Sequence, residues 1–440
     1  MFSSSVIRYR SLTSVSNSIN AAKVHGRLVS KLNSGRRGAT RSVSGLTGEC
    51  APEALCSPCR ADQAFLRNAV RPQPPNGLAP LRAVDLFSGC GGMSLGLEEA
   101  ARRNGLPFEV LLAADSDADA MTIFKRNLPY RTATVSRVEE LFPGAIGDPA
   151  NPSERELAAR IHGVDVLIGG PPCQGHSDLN NHTRRKDPKN ALYLRMARAA
   201  EILKPNVVVI ENVSAVQWDE GKVVHETSGA LERSGYSVAG KVLDLSRIGV
   251  PQRRRRFVLL ASRLETIRPG VVLDSLAAGM NSHTERTVRW AIHDLLDVDA
   301  REIFDTASSP TEANRKRIQF LFDHGCFNLP NEQRPECHQD GDHSYNSVYG
   351  RLWWNKAAQT VTTGFGCMGQ GRYVHPQRRR TITPHEAARL QTFPDWYRFG
   401  EDTRRGVLAK AIGNAVPPLL MIALGQHIIP QLAKVRAQEE

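Results

Sequence analysis

Between residues 81 and 261 the chain alternates two kinds of apolar pattern. Short, mainly apolar runs at 81–87, 109–114, 164–168, 207–210 and 257–261 have the length of strands buried on both faces. Between them, 93–103, 118–126, 154–161 and 191–203 carry apolar residues at helical spacing, and Gly105 stops the first of these helices. Strand, helix, strand in repetition predicts an α/β fold: a doubly wound, mostly parallel, Rossmann-like sheet.

The pattern changes on either side of this block. From about 263 to 355 no βαβ rhythm is visible, which predicts a smaller, irregular region. Thr383-Pro384-His385-Glu386 is a capping box with proline in the first turn, so a helix starts there and ends before Pro394. An apolar helix over 416–435 is predicted to pack back on the sheet. The head, 1–78, reads as a basic Ser/Arg-rich disordered extension, with folded structure starting near Leu81 after the linker Arg71-Pro72-Gln73-Pro74-Pro75-Asn76-Gly77. No acidic residue precedes Glu49, as in an organellar transit peptide. A disordered arm, or sequence translated from an early start codon, has the same composition, and these plainer readings outweigh targeting.

Composition adds three constraints to the 440 residues. The net charge of +12 suggests a polyanionic partner, most simply nucleic acid. No uninterrupted apolar stretch reads as long enough to span a bilayer. Eight scattered cysteines fit a reducing compartment better than a disulfide framework. Cys56 and Cys59 form one C-x-x-C without a second pair, and His324, Cys326, Cys337, His338 and His343 are irregularly spaced, so no metal site is expected.

Chemistry concentrates where the predicted strands end. Gly169-Gly170-Pro171-Pro172-Cys173-Gln174-Gly175-His176-Ser177 follows a buried run, and its prolines stiffen a turn that presents one thiol at a strand's carboxyl end. Taken alone, Cys173 is more simply a small packed residue. Ser88-Gly89-Cys90-Gly91-Gly92 makes a glycine turn between strand and helix, and Asp115 ends the next strand, where an acid can accept hydrogen bonds from a ribose. This turn is not a pyrophosphate fingerprint, which argues against a nicotinamide dehydrogenase. A cofactor with ribose and adenine but no phosphate fits better. Glu211-Asn212-Val213 ends another buried run, and Gln252, Arg254 and Arg256 are expected to share one strand face. A basic loop, 182–189, follows Cys173 and has the composition of a segment closing over a polyanion.

At this point the chain resembles the cytosine-C5 DNA methyltransferases, from about Leu81 to the C-terminus. Asp85 to Gly92 resembles that family's cofactor loop, Gly170 to Gln174 its Pro-Cys loop, Glu211 to Val213 its E-N-V motif, and Gln252 to Arg256 its Q-x-R-x-R motif. Arg372 to Phe393 resembles the scaffold of target recognition, and Gly413-Asn414-Ala415-Val416-Pro417-Pro418 the last motif, six in order. The resemblance implies a methyltransferase domain at 80–262 and 400–440, with a target-recognition domain at 263–399. It implies Cys173 as nucleophile, Glu211 at cytosine N3 and the exocyclic amine, Arg256 at the base carbonyl, and Arg254 in support. Gln174, Ser177, Asn212 and Gln252 are implied on the substrate side. Phe87, Ser88, Gly89, Gly91, Asp115, Pro171, Asn414 and Val416 would surround S-adenosyl-L-methionine. Ser136 stands where the family usually has an adenine-contacting acid.

The function implied is methyl transfer to C5 of a flipped-out cytosine in double-stranded DNA, in restriction-modification or epigenetic methylation. A tRNA cytosine-C5 methyltransferase of the same family is the alternative, and a non-catalytic binder is opposed by the presence of Cys173, Glu211 and Arg256. Double-stranded DNA is the expected partner, with a cognate restriction endonuclease as a further candidate. A bacterial cytoplasmic, nucleoid-associated monomer away from membranes completes the expectation, with organelle targeting a minor alternative.

Overall fold

The computed structural model describes residues 56–172, 192–219, 222–279, 285–298, 300, 302–339, 348–401 and 403–439. Its centre is a seven-stranded sheet. In chain order the strands are β1 (Leu81–Leu86), β2 (Phe108–Asp115), β3 (Tyr130–Val135), β4 (Val166–Gly169), β5 (Val207–Val213), β6 (Ser237–Asp244), β7 (Gln252–Arg253), β8 (Arg255–Ser262) and β9 (Ala358–Gln359). The large sheet runs β3-β2-β1-β4-β5-β8-β6, and β7 pairs with β9 in a separate two-stranded ladder. Pairings from β3 to β5 are all parallel, whereas β8 lies antiparallel to both β5 and β6. This is the doubly wound architecture expected from the alternating pattern.

Alternation along the strands divides the core. Ala83, Val166, Ile168, Val207 and Val209 pack on one face of the sheet, with helices Gly92–Arg103 and Pro418–Glu439. Val84, Leu86, Leu167, Val208 and Ile210 pack on the other, with helix Leu192–Leu203. Burial on both faces explains why the sequence shows mainly apolar runs instead of a period of two. A smaller cluster joins Ile318, Leu321, Leu329 and Tyr349, from the stretch where no βαβ rhythm was visible, to Met368 and Val374 beyond it.

Two expectations are corrected. Folded structure begins before Leu81: Ser57–Leu66 is a helix with Phe65 and Leu66 in the core. Its Asp62 pairs with Arg103 at 2.8 Å and Arg286 at 2.7 Å, and the Leu66 and Asn68 carbonyls accept from the backbone N–H groups of Asp395 and Trp396. The short helix lacks a long apolar run, so its sequence resembles the tail before it. The segment Arg405–Arg436 is long and apolar enough to cross a bilayer by composition, with mean hydropathy 1.7, contrary to the sequence reading. Its apolar window is 72% buried within the protein, as befits a core helix.

Candidate active site

The order of the sheet places the site. From β1 the chain steps outward to β2 and β3, then returns to β4 on the other side and continues to β5. Between β1 and β4 successive connections diverge, and a crevice opens beyond their carboxyl ends. A cavity of about 1630 Å³ lies there. It is walled by the glycine turn after β1, by Gly170-Pro171-Pro172 after β4 and by the ends of β2 and β5. Residues 360–363 and 413–416 close it from the far end of the chain.

The glycine turn is tightly determined. Phe87 has φ +57°, a left-handed conformation unfavourable for a bulky side chain, at the point where β1 enters the cavity. Gly91, at φ +88°, is the N-cap of helix Gly92–Arg103. A Cβ on Gly92 would lie 2.3 Å from the Val416 carbonyl oxygen, so only glycine lets the last motif approach this close. Asp115 is held by the turn itself: its Oδ2 accepts from Gly89 N–H and its Oδ1 from Asp117 N–H, each at 2.8 Å. Each oxygen keeps a second lone pair for a ligand.

Asp85, the first residue of the cofactor-loop motif, also lines the cavity, although it was not among the residues expected to surround the cofactor. It is 1% exposed, and Ser94 Oγ donates to its Oδ2 at 2.6 Å, while Oδ1 has no hydrogen-bond partner among the described residues. Burial pushes its carboxyl up to about 7, the Ser94 hydrogen bond opposing and the Asp115 charge reinforcing the shift. With Asp115 and Asp117 it makes the glycine-turn end of the cavity acidic, whereas Arg253, Arg254 and Arg256 line it elsewhere. An acidic end with carboxylate lone pairs suits a cationic, ribose-bearing ligand. The residues present therefore fit S-adenosylmethionine.

Sheet register creates the pair at the other end. Arg256 lies opposite Val213, and Glu211 is two residues earlier on the same face of β5, a diagonal position within reach of long side chains. Arg256 Nε sits 2.8 Å from Glu211 Oε1 as an ion pair. Among the described residues that oxygen is not engaged in an aligned hydrogen bond, so it keeps acceptor capacity towards a ligand. Tyr193, buried on its helix, has its hydroxyl pushed up by burial and by the Glu211 charge. No sequence motif marked it. Asn212 Nδ2 donates to the Pro171 carbonyl at 3.3 Å, tying β5 to the loop that leads to residue 173.

Several expected residues have other surroundings. Cys173, Gln174 and Ser177 lie outside the described residues. The strand expected to align Gln252, Arg254 and Arg256 is interrupted at Arg254, which falls between β7 and β8. Gln252 is fully buried away from the cavity wall: it donates to Leu390 O and Gln391 Oε1 and accepts from Val361 N–H. Its substrate role is corrected to a scaffold role, because its whole amide is committed to backbone and to Gln391. Arg254 does line the cavity, with its guanidinium donating to the Val361 and Ala415 carbonyls, each at 3.1 Å. Gly91 is corrected too: a Cβ there would meet Leu128 and Phe124, so it faces the core rather than the cavity. Phe87, Ser88, Gly89, Asp115, Pro171, Asn414 and Val416 all line the one cavity, as does Ser136, whose hydroxyl lies 3.0 Å from that of Thr134.

The model of the family described as C-5 cytosine-specific DNA methylase matches residues 81–430. The chain is 41% identical over 366 residues to the Type II methyltransferase M1.BsuMI of Bacillus subtilis (strain 168), covering 83% of this chain and 84% of that protein. It is 30% identical over 361 residues to the Type II methylase M.HgiDII of Herpetosiphon aurantiacus, covering 80% and 94%. Among solved structures, a putative DNA modification methyltransferase encoded within a prophage (E. coli) aligns with TM-score 0.55 at 25% identity, covering 80% of this chain and 99% of that one. The S. pombe Dnmt2 methyltransferase also aligns with TM-score 0.55, and at 16% identity it bears on the fold alone.

Proposed function

The chain belongs to the C-5 cytosine-specific DNA methylase family and is a DNA cytosine-5 methyltransferase, and from that premise we propose how its residues carry the reaction. The tRNA alternative is not favoured, since the family description specifies DNA. One observation carries the assignment of roles. The Glu211–Arg256 pair and the Asp115-anchored glycine turn open into the same cavity, which Pro171 and Pro172 border just before Cys173.

C5 of cytosine is a poor nucleophile. Addition of the Cys173 thiolate to C6 pushes electron density onto it. A proton or strong hydrogen bond from Glu211 at N3 lowers the cost of that addition, and Arg256 holds the base carbonyl. S-adenosylmethionine, when bound between the glycine turn and Asn414–Val416, supplies an electrophilic methyl group. Loss of the C5 proton then expels Cys173 and restores the ring. Neither C5 nor C6 is reachable in a stacked duplex, so the base is flipped into the cavity. Arg254 and Asn212 act one step back: Arg254 holds the Val361 and Ala415 walls in register, and Asn212 fixes Pro171.

On this reading residues 263–399 read the DNA sequence, while 80–262 with 400–440 carry the chemistry. A cognate restriction endonuclease is the natural companion, as the Type II names of the relatives suggest. Bacterial cytoplasm, on DNA, is the corresponding place of action. Expression in a host lacking cytosine methylation, followed by bisulfite sequencing, tests the proposal. A single methylated motif across the host genome is expected. An unmethylated genome in cells holding folded protein would overturn it.

A further inference from the structure

The start of the first helix carries a cysteine pair that methyl transfer does not use. Cys56 is the N-cap of helix Ser57–Leu66, with non-helical φ −59° and ψ 156°, so its side chain folds back over the first turn. Its Sγ accepts the Cys59 backbone N–H at 3.4 Å. Cys56 is half-buried, whereas Cys59 is 2% exposed. Burial pushes the Cys59 thiol up, and the Cys56 side chain, in hydrogen-bond contact with it, adds to the shift while Arg286 opposes it. Arg286 is itself buried: it pairs with Asp62 at 2.7 Å, donates to the Gly249 carbonyl at 3.0 Å and stacks over Trp290 at 4.7 Å. A half-buried cysteine at a helix N-cap, its sulfur bonded to the backbone of a buried cysteine three residues on, has the layout of an attacking and a resolving thiol.

We propose that Cys56 and Cys59 form a reversible dithiol–disulfide couple that exchanges with small disulfides of the glutathione class. In the first step the Cys56 sulfur attacks one sulfur of the small disulfide, forming a mixed disulfide and releasing one small thiolate. In the second, the Cys59 sulfur attacks the Cys56 sulfur, forming the internal bond and releasing the other thiolate. The two protons lost by the cysteines end on the two released thiols, so two protein thiols are oxidised and one disulfide is reduced. The couple sits on the helix that Arg286 joins to the Gly249 turn, just ahead of β7.

The test uses the full-length protein equilibrated at graded ratios of reduced to oxidised glutathione, quenched in acid, alkylated and read by tandem mass spectrometry. Cys56 and Cys59 should lose their labels together in one transition, with a bond between them and not to Cys50. Cys59→Ser should accumulate glutathione on Cys56. Cys56→Ser, in which serine remains a good N-cap, should leave Cys59 unmodified. Full alkylation of both cysteines at every ratio, a bond to Cys50, or a mixed disulfide persisting on wild-type Cys56 would each overturn the proposal.

Discussion

Asp85→Asn is the substitution whose effect is best worked from the structure. The carboxyl is 1% exposed, bonded to Ser94 through Oδ2 and without a partner at Oδ1 among the described residues. It titrates at about 7 in the folded chain, against 3.8 for an unburied aspartate. Between those values the folded protein holds a proton that the unfolded chain has released. Stability is therefore undiminished below 3.8 and is lost as pH rises to about 7, beyond which the loss is constant. About three pKa units at about 1.4 kcal/mol each set a ceiling of about 4 kcal/mol. Asparagine does not titrate and can still accept from Ser94. Urea denaturation of wild type and variant, without ligand, should show the variant gaining on wild type by about 2–3 kcal/mol between about pH 5 and pH 8. The difference between the two proteins is the quantity to read, because other groups tilt the wild-type curve. Parallel stability curves over that range would refute the reasoning.

Two further outcomes follow from named groups. His375 is fully buried, and its Nδ1 accepts the backbone N–H groups of Gln377 and Arg378, so burial depresses it from 6.5 to about 4. Here the unfolded chain binds a proton that the folded one refuses. The contribution is present above 6.5 and lost as pH falls towards 4, by about 3 kcal/mol, and His375→Asn should flatten that limb of the stability curve measured by thermal or urea unfolding. Glu211→Gln should lower methyl transfer from labelled S-adenosylmethionine by about 10²–10⁴-fold, while calorimetry finds S-adenosylhomocysteine still bound. A loss of only a few-fold would remove Glu211 from the chemistry.

The five inner strands were legible because they are buried on both faces, whereas the edge strands β3 and β6, largely exposed or half-buried, left no apolar run to read. Val207-Val208-Val209-Ile210 has no other sensible place than a buried central strand, and it occupies one, parallel to β4 on one side and antiparallel to β8 on the other. The cofactor side of the cavity was legible for a related reason: Phe87 to Gly89, Asp115 and Asn414 are pinned at element ends, where sequence position fixes spatial position. Gln252 and Arg254 were harder. A strand was expected to present both with Arg256, but the strand breaks at Arg254, and Gln252 turns to bind Leu390, Gln391 and Val361, residues more than a hundred positions away. Asp85 was read only as the first residue of the cofactor-loop motif, because its burial at the cavity depends on Ser94, which comes into place from the following helix. Helix Ser57–Leu66 was missed because it is held by distant groups, Arg103, Arg286 and the Asp395 turn, and not by a long apolar stripe of its own.

The central claim is that Cys173 adds covalently to C6 of a flipped cytosine while Glu211 and Arg256 hold the base. Duplexes carrying 5-fluorocytosine at the cytosine mapped by bisulfite sequencing test it most directly, because fluorine cannot leave as a proton and the adduct cannot resolve. With S-adenosylmethionine added, wild-type protein should give a protein–DNA species that survives denaturing electrophoresis, and Cys173→Ser should give none. A wild-type protein that methylates the ordinary duplex yet leaves no adduct on the fluorinated one, or a Cys173→Ser protein that forms it equally well, would contradict the account.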